Sequence, residues 1–314
     1  MRVRMTVTTC AVAFAALTLA CAVLATTGGK NGRIIFGKEI TPDHFQLFTI
    51  AADGTGEKQI THAFSARNPD WSPDGNSIVA ELESATSARV ATMSADGKHV
   101  AVLTPKGFQG QPSFSPDGKW IVYERDLTEG AGNNGVWLMR ADGTDNRRLT
   151  RNPFSGSECG CDTDPNFSPD GKLITFVRIK ENERRQALFA VRRNGTGLRQ
   201  LTPYSWEVAI KHDWSPDGKL IVLTTNADFV RPSDSANLVT IHPDGTGKTN
   251  VTKFKGGAMN AFAGSFSPDG AHIVFRLESG TTYSIAVVNR DGSHLRRLTT
   301  GSAKPRFIDW GTHG

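Results

Sequence analysis

Cysteine is scarce in this sequence, which excludes a fold stabilised by many disulfides. The chain of 314 residues has four cysteines, and two of them, Cys10 and Cys21, lie in an N-terminal apolar stretch. The other two, Cys159 and Cys161, stand two positions apart, so a local disulfide between them would close a loop too small to add much stability. No further soft ligand lies nearby in the sequence, and a metal site at this pair is not expected.

Sequence motifs of several enzyme and binding classes are also missing. The eight histidines form no His-x-x-x-His or His-Glu-x-x-His pair, so no metal or other cofactor is predicted. A Gly-x-Ser-x-Gly elbow, a phosphate-binding loop and a dinucleotide fingerprint are all absent. The net charge of +5 is spread without any polybasic run, so nucleic acid is not an expected partner.

Residues 1–25 have the pattern of an export signal. Arg2 and Arg4 precede an apolar stretch, and Val23-Leu24-Ala25 offers small residues that suit cleavage after Ala25. The apolar stretch is too short and too rich in alanine for a good membrane span. We therefore expect a mature chain of residues 26–314 that is secreted or periplasmic, with no membrane span once the signal is removed. Lipid attachment at Cys21 and an uncleaved anchor are the alternatives.

Two short motifs alternate along the remainder of the chain. Ser-Pro-Asp-Gly occurs five times, always directly after Trp or Phe, and begins at Ser72, Ser115, Ser168, Ser215 and Ser267. Asp-Gly or Asn-Gly pairs alternate with it, and each is followed by a polar run that ends in Leu-Thr or a similar pair; the pairs begin at Asp53, Asp96, Asp142, Asn194, Asp244 and Asp291. Both motifs suit tight turns between antiparallel strands, because Pro presets φ and Gly accepts a positive φ.

These repeats predict an all-β fold: a six-bladed β-propeller with four-stranded antiparallel blades. The N-terminal unit has candidates for three strands, at 33–36, 46–51 and 57–61, and lacks the innermost one. The C-terminal residues 304–311 match residues 111–118 at Pro, an aromatic residue and Gly. We therefore expect the C-terminal strand to complete the N-terminal blade and close the ring, which hides two sheet edges. Helix is nearly absent from the pattern.

The aromatic-Ser-Pro-Asp-Gly-Lys-x-Ile pattern and its Asp-Gly…Leu-Thr partner resemble the TolB-like six-bladed propeller family. The resemblance covers about residues 31–314. It implies a propeller fold and a place in the cell envelope, where TolB binds the peptidoglycan-associated lipoprotein. Few residues separate the leader from the first predicted strand, so the N-terminal α/β domain of TolB is not expected here. Propellers of prolyl-oligopeptidase-like enzymes have similar repeats, but they carry a hydrolase domain for which this sequence has no motif.

Candidate ligand-binding residues lie at the expected channel mouth and in the loops that vary most between repeats. One set stands immediately before the inner aromatic residue of each repeat and includes Asp70, Asp213 and Arg306. A second set stands three positions before it and includes Asn68, Gln111, Asp164, Lys211 and Lys304. Trp206 and His212 share the connector that contains Lys211. For Asp70 and Asp213, we favour hydrogen bonds to backbone over a catalytic carboxylate pair.

The sequence favours a non-catalytic propeller, monomeric, that binds a protein or cell-envelope ligand through its variable-loop face. The alternative is a lyase or hydrolase that acts on a polysaccharide or peptide at the channel mouth. Convergence of two or more of Asp70, Asp164, Lys211, His212 and Arg306 in one pocket would favour that enzyme, whereas residues that lie apart or form salt bridges would count against it. A scaffold domain that works with a separate partner, and a hard cation bound in the channel, also remain open.

Overall fold

The computed structural model describes residues 29–126, 135–153, 161–180, 185–227 and 234–312. The predicted signal peptide, Cys21 and Cys159 lie outside this range. The described residues form 24 strands. In chain order they are β1 (Asn31–Thr41), β2 (His44–Ile50), β3 (Lys58–Gln59), β4 (Ser65–Trp71), β5 (Ser77–Ser84), β6 (Ser87–Ser94), β7 (Ala101–Val102), β8 (Phe108–Phe114), β9 (Trp120–Asp126), β10 (Gly135–Arg140), β11 (Arg147–Arg148), β12 (Asp162–Phe167), β13 (Leu173–Lys180), β14 (Arg185–Arg192), β15 (Arg199–Gln200), β16 (His212–Trp214), β17 (Ile221–Thr225), β18 (Asn237–Ile241), β19 (Thr249–Asn250), β20 (Met259–Phe266), β21 (His272–Ser279), β22 (Thr282–Asn289), β23 (Arg296–Arg297) and β24 (Pro305–Thr312).

Helix is restricted, within the described ranges, to a single 3-10 turn at Tyr204–Trp206. No helix in this part of the chain has the length and apolar character needed to cross a membrane. The near-absence of helix agrees with the all-β prediction. Helix is scarce because the turn motifs recur so often that no segment between them is long enough for several helical turns.

The prediction of six separate four-stranded blades is wrong. The structure has four separate four-stranded sheets and one eight-stranded sheet that contains β4 to β11. The two halves of the larger sheet are joined where β6 runs parallel to β8, with Ala88 opposite Phe108. The physical reason is local: the Ala88 N–H donates to the Gly107 carbonyl at 2.8 Å, so the short connector before β8 lies along β6. The repeat motif specifies turns within a unit and carries no information about such a bond between units.

The Ser-Pro-Asp-Gly segments form the predicted tight turns. In the first, the Gly75 N–H donates to the Ser72 carbonyl at 2.9 Å, and the Ser72 hydroxyl donates to Asp74 Oδ1 at 2.6 Å. Gly75 has φ 71°, in the left-handed region. The Asp-Gly turns add a steric requirement, since a Cβ at Gly97 would lie 1.9 Å from the Ile60 carbonyl oxygen. Glycine is therefore needed there for conformation and for space.

The C-terminal strand completes the N-terminal sheet, as predicted. β24 pairs antiparallel with β1, and the resulting sheet has the order β24-β1-β2-β3. The predicted register within β24 is wrong, however. Trp310 lies opposite Ile34, as Trp71 lies opposite Ile78, so Trp310 and not Phe307 occupies the inner aromatic position. Phe307 has φ 52° and corresponds to Asn68, which has φ 51°.

Apolar side chains fill the spaces between neighbouring sheets. One buried cluster joins Ile34 and Phe36 of the first sheet to Val274 and Ile285 of the last sheet, together with Trp310. Since the same cluster contains residues from both ends of the chain, closure of the ring also buries this apolar cluster. Fully burying each such side chain contributes about 1.5–3 kcal/mol.

Removal of residues 304–314 should prevent stable folding. The truncation deletes β24, exposes the edge of β1 and removes Trp310 from the apolar cluster between the first and last sheets. We expect loss of the cooperative thermal transition measured by circular dichroism. Removal of residues 313–314 alone is the control, because it leaves β24 complete. A melting temperature for the longer truncation equal to that of the full chain would contradict the closure.

Candidate functional site

A cavity of about 500 Å³ opens on the axis of the ring, on the side of the Ser-Pro-Asp-Gly turns. We call it the axial funnel. Residues from β4, β8, β12, β16, β20 and β24 line it, so each inner strand contributes. The side chains immediately before the inner aromatic residues are Asp70, Ser113, Asn166, Asp213, Ser265 and Asp309. The aromatic residues and four turn prolines form the rest of the wall, and Gly29 and Lys30 lie at the rim.

Three aspartates in the funnel bind the backbone of the next inner strand. Asp70 Oδ2 accepts from the Phe114 N–H at 2.8 Å. Asp213 Oδ2 accepts from the Phe266 N–H at 2.8 Å and from the Ser265 hydroxyl at 2.9 Å. Asp309 Oδ2 accepts from the Trp71 N–H at 3.0 Å. We call these bonds the aspartate latches. They agree with the expectation that Asp70 and Asp213 bind backbone.

The latch aspartates and Lys211 form one electrostatic group. Burial raises the pKa of Asp213 to about 6, with Lys211 opposing the shift and Asp309 adding to it. Burial also raises the pKa of Asp70 well above its usual range, with help from the negative charge of Asp309. Burial alone would lower the pKa of Lys211, but four nearby aspartates raise it to about 12. Lys211 is therefore a partly buried, charged counter-ion of the acidic group.

Asp164 and His212 join two neighbouring sheets in a buried network. The His212 N–H donates to Asp164 Oδ2 at 3.0 Å, and His212 Nδ1 lies 3.0 Å from the same oxygen. His212 Nε2 and Trp214 Nε1 each lie 2.8 Å from Thr175 Oγ1. The order Thr-His-Asp resembles a catalytic triad, but His212 and Thr175 are both 0% exposed. The threonine hydroxyl cannot reach a substrate, so the network is structural.

Four of the predicted residues lie towards the opposite mouth of the channel and contact other side chains there. Asn68 donates to Glu81, and Gln111 accepts from the Thr163 hydroxyl at 2.7 Å. Lys304 forms a 2.8 Å ion pair with Glu278. Arg306 lies over the Phe45 ring, 5.7 Å from its centroid. None of the four lines the axial funnel.

Trp206 lies apart from both mouths. Its side chain packs against the apolar cluster that contains Val208 and Trp214, and Lys248 Nζ lies 4.1 Å from its ring centroid. The structure therefore brings Asp70 and Asp213 into the funnel, places Asp164, Lys211 and His212 beside it, and leaves Trp206 in a packing role.

Asp309 was missed by the sequence analysis, which placed Arg306 in the position before the inner aromatic residue. That placement is wrong, because Asp309 lies opposite Ile35 as Asp70 lies opposite Val79. A signal was present: the dipeptide Asp-Trp occurs at Asp70, Asp213 and Asp309. The match of Pro305 and Phe307 to Pro112 and Phe114 favoured the wrong register.

No group of three or more His, Cys, Asp or Glu side chains in the described ranges is arranged to hold a metal ion. Cys161 is disulfide-bonded and lies in the segment before β12, outside the lining of the funnel. The funnel thus combines carboxylates and aromatic rings with the ammonium group of Lys30 at its rim and that of Lys211 beside it.

Known proteins share the repeats and the sheet architecture of this chain. A sequence profile described as the TolB beta propeller domain matches residues 106–313. The chain belongs to the TolB beta-propeller family. A crystal structure of TolB from Acinetobacter baumannii superposes with a TM-score of 0.72 and 22% identity, covering 89% of this chain and 66% of that one. At this identity the superposition shows the fold alone.

Curated relatives of this TolB-family propeller fall into two groups. Dipeptidyl-peptidase 5 of Porphyromonas endodontalis is 31% identical over 116 residues, which is 36% of this chain and 16% of that protein. The Tol-Pal system protein TolB of Anaeromyxobacter dehalogenans is 27% identical over 140 residues, 40% of this chain and 30% of that protein. The matches therefore span less than a third of the length of either relative.

Replacement of Asp213 by Asn should change how the stability of the propeller depends on pH. The folded pKa of about 6 lies above the unfolded value of 3.8, so the folded state binds the proton more tightly. The wild type should therefore lose stability as pH rises from about 4 to about 6. Asn keeps an oxygen for the Phe266 N–H and does not titrate. Relative to wild type, Asp213→Asn should gain ~2 kcal/mol across this window in urea unfolding at several pH values.

The matched control is Asp74→Asn in the first Ser-Pro-Asp-Gly turn. A hydrogen bond from Ser72 holds the pKa of Asp74 below its usual range, so its contribution to stability has the opposite sign. Wild type should lose stability relative to Asp74→Asn as pH falls. Parallel pH profiles for wild type and Asp213→Asn would contradict the buried, proton-binding Asp213.

Proposed function

We propose that this TolB-family propeller is a non-catalytic binding protein that receives part of a protein or cell-envelope partner in its axial funnel. One observation supports this most strongly. Three of the four aspartates that line the funnel each use an oxygen to hold the next inner strand. Groups fixed in this way form a rigid, preorganised receptor, and binding to a rigid site costs little ordering entropy.

The composition of the funnel wall defines the chemistry of the partner. Asp70, Asp74, Asp213 and Asp309 line the funnel, against one cation, Lys30. Six aromatic residues, one from each inner strand, also line it. An acidic cavity with aromatic walls suits a basic side chain, because both the carboxylates and the ring faces attract a cation. The volume of about 500 Å³ admits a few side chains and excludes a folded domain.

Export supports a partner in the cell envelope. The sequence predicts a signal at residues 1–25, and the profile match places the chain in a family that includes the Tol-Pal system protein TolB. We therefore assign the mature chain to the periplasm or the cell exterior. The sequence favoured the variable-loop face, which lies at the opposite ends of the inner strands from the funnel; we place the main contact in the funnel.

Charge changes at the funnel rim test the proposal. The immobilised mature chain is first used to capture a partner from an envelope extract. The affinity of the chain for that partner, and for tri-lysine as a defined probe, is then measured by calorimetry. Lys30→Glu should tighten binding about threefold to tenfold, and Thr312→Arg should weaken it by a similar factor, on the order of 1 kcal/mol each. Lys219→Glu is the control, since Lys219 is exposed in a turn on the same side but does not line the funnel.

If Lys219→Glu tightens binding as much as Lys30→Glu does, only overall charge matters and the funnel is refuted as the site. Absence of both a captured partner and a tri-lysine response would refute the binding proposal.

A second candidate function is hydrolysis or lysis of a peptide or polysaccharide at the channel. It is favoured by one observation, the raised pKa of Asp213 to about 6, which suits general acid or base chemistry. Under this alternative, activity on a peptide or polysaccharide panel would show a pH inflection near 6, and Asp213→Asn would abolish it. Against it stand the hydrogen bonds that Asp213 already makes to Phe266 and Ser265.

A further inference from the structure

Three arginines converge on a single indole away from the axis. The guanidinium carbons of Arg193, Arg140 and Arg147 lie 4.6, 4.8 and 5.9 Å from the centroid of the Trp120 ring. The arginines come from different parts of the fold: Arg140 ends β10, Arg147 begins β11, and Arg193 follows β14 of the neighbouring sheet. The cluster thus lies where the eight-stranded sheet meets the sheet β12–β15.

Trp120 is a rigid base for these cations. Its side chain packs against the apolar cluster that contains Val122 and Ile174, and the backbone N–H of Trp120 donates to the Ser115 hydroxyl at 2.9 Å. Arg140 lies directly opposite it in the β9–β10 pair. The equivalent positions at the start of the other second strands hold Arg33, Ser77, Leu173, Leu220 and His272. The tryptophan is therefore not demanded by the repeat.

Nearby carboxylates neutralise the cluster incompletely. Arg140 Nε lies 3.8 Å from Asp145 Oδ2, and both side chains are about half exposed. The positive charge of Arg193 helps to lower the pKa of Asp117. The Oδ1 atom of Asp117, however, already accepts hydrogen bonds from the Ser115 hydroxyl and the Lys119 backbone N–H. Arg147 forms no ion pair with any described residue, and its one hydrogen bond goes to the Arg193 carbonyl at 3.3 Å.

We propose that Arg140, Arg147, Arg193 and Trp120 form an oxyanion-binding site, which takes a phosphate or carboxylate group. Planar guanidinium groups that rest on an aromatic face present their N–H donors in a fixed geometry that matches such oxygens. Three like charges held around one ring repel each other, and a bound oxyanion relieves this repulsion. The site shares the turn-bearing side of the ring with the funnel but has no lining residue in common with it. It is therefore independent of the function proposed above.

The full mature chain is titrated with inorganic phosphate and, separately, with acetate, at ionic strength held constant with chloride. Binding is measured by calorimetry and by the tryptophan fluorescence difference between wild type and Trp120→Phe. We expect saturable binding of at least one probe, with the fluorescence change lost in Trp120→Phe. Saturation by phosphate alone identifies a phosphate group as the ligand, and saturation by acetate alone identifies a carboxylate.

Arg147→Gln and Arg193→Gln should each weaken binding about tenfold, which corresponds to the loss of one charge-assisted hydrogen-bonding partner. The matched control is Arg297→Gln, an exposed arginine on the equivalent outer strand β23 that stacks on no ring within the described ranges; it should leave affinity within twofold. Melting temperatures confirm that each variant is folded. If neither probe saturates, or if Arg297→Gln weakens binding as much as the other two, the site is refuted.

Discussion

Bonds from one inner strand to the next hold the architecture together. The latches of Asp309 to Trp71, Asp70 to Phe114 and Asp213 to Phe266 link strands that share no antiparallel ladder. The Asp164–His212 bond does the same between β12 and β16. Apolar side chains also fill the spaces between neighbouring sheets, but such contacts fix distance more than axial position. A charge-assisted hydrogen bond from a backbone N–H to a carboxylate is directional, so it also fixes the position of each inner strand along the axis relative to the next.

The same bonds determine what the axis can do chemically. A latch aspartate must remain close to the channel, because the backbone N–H that donates to it lies on a neighbouring inner strand. Several carboxylates are therefore forced together, and their mutual repulsion raises the pKa of Asp70 beyond the effect of burial. Lys211 offsets this repulsion from inside the protein. The acidic funnel is thus a consequence of ring assembly. A cationic ligand would reduce the repulsion between these carboxylates further, in addition to the effect of Lys211.

Sequence reasoning succeeded where local chemistry decides structure. Ser-Pro-Asp-Gly forms its turn through bonds among its own residues, so the motif alone predicts two strands and the hairpin between them. It failed where a choice depends on residues far apart. The bond from Ala88 to Gly107 joins two units into one sheet, and neither residue belongs to a motif. The register of β24 depends on pairing with β1 across the whole chain, so a chance match at Pro305 and Phe307 was misleading.

The repeat also explains why functional positions were difficult to see. Residues that build each turn recur because every unit needs the same backbone, so their recurrence indicates structure. Binding chemistry must come from positions where one unit differs from the others. Trp120 is such a position, because its counterparts include Ser77 and Leu173. Asp309 is another, because its counterparts include Ser113 and Asn166. In a closed ring of similar units, departures from the repeat distinguish one part of the surface from another, and a specific partner requires that distinction.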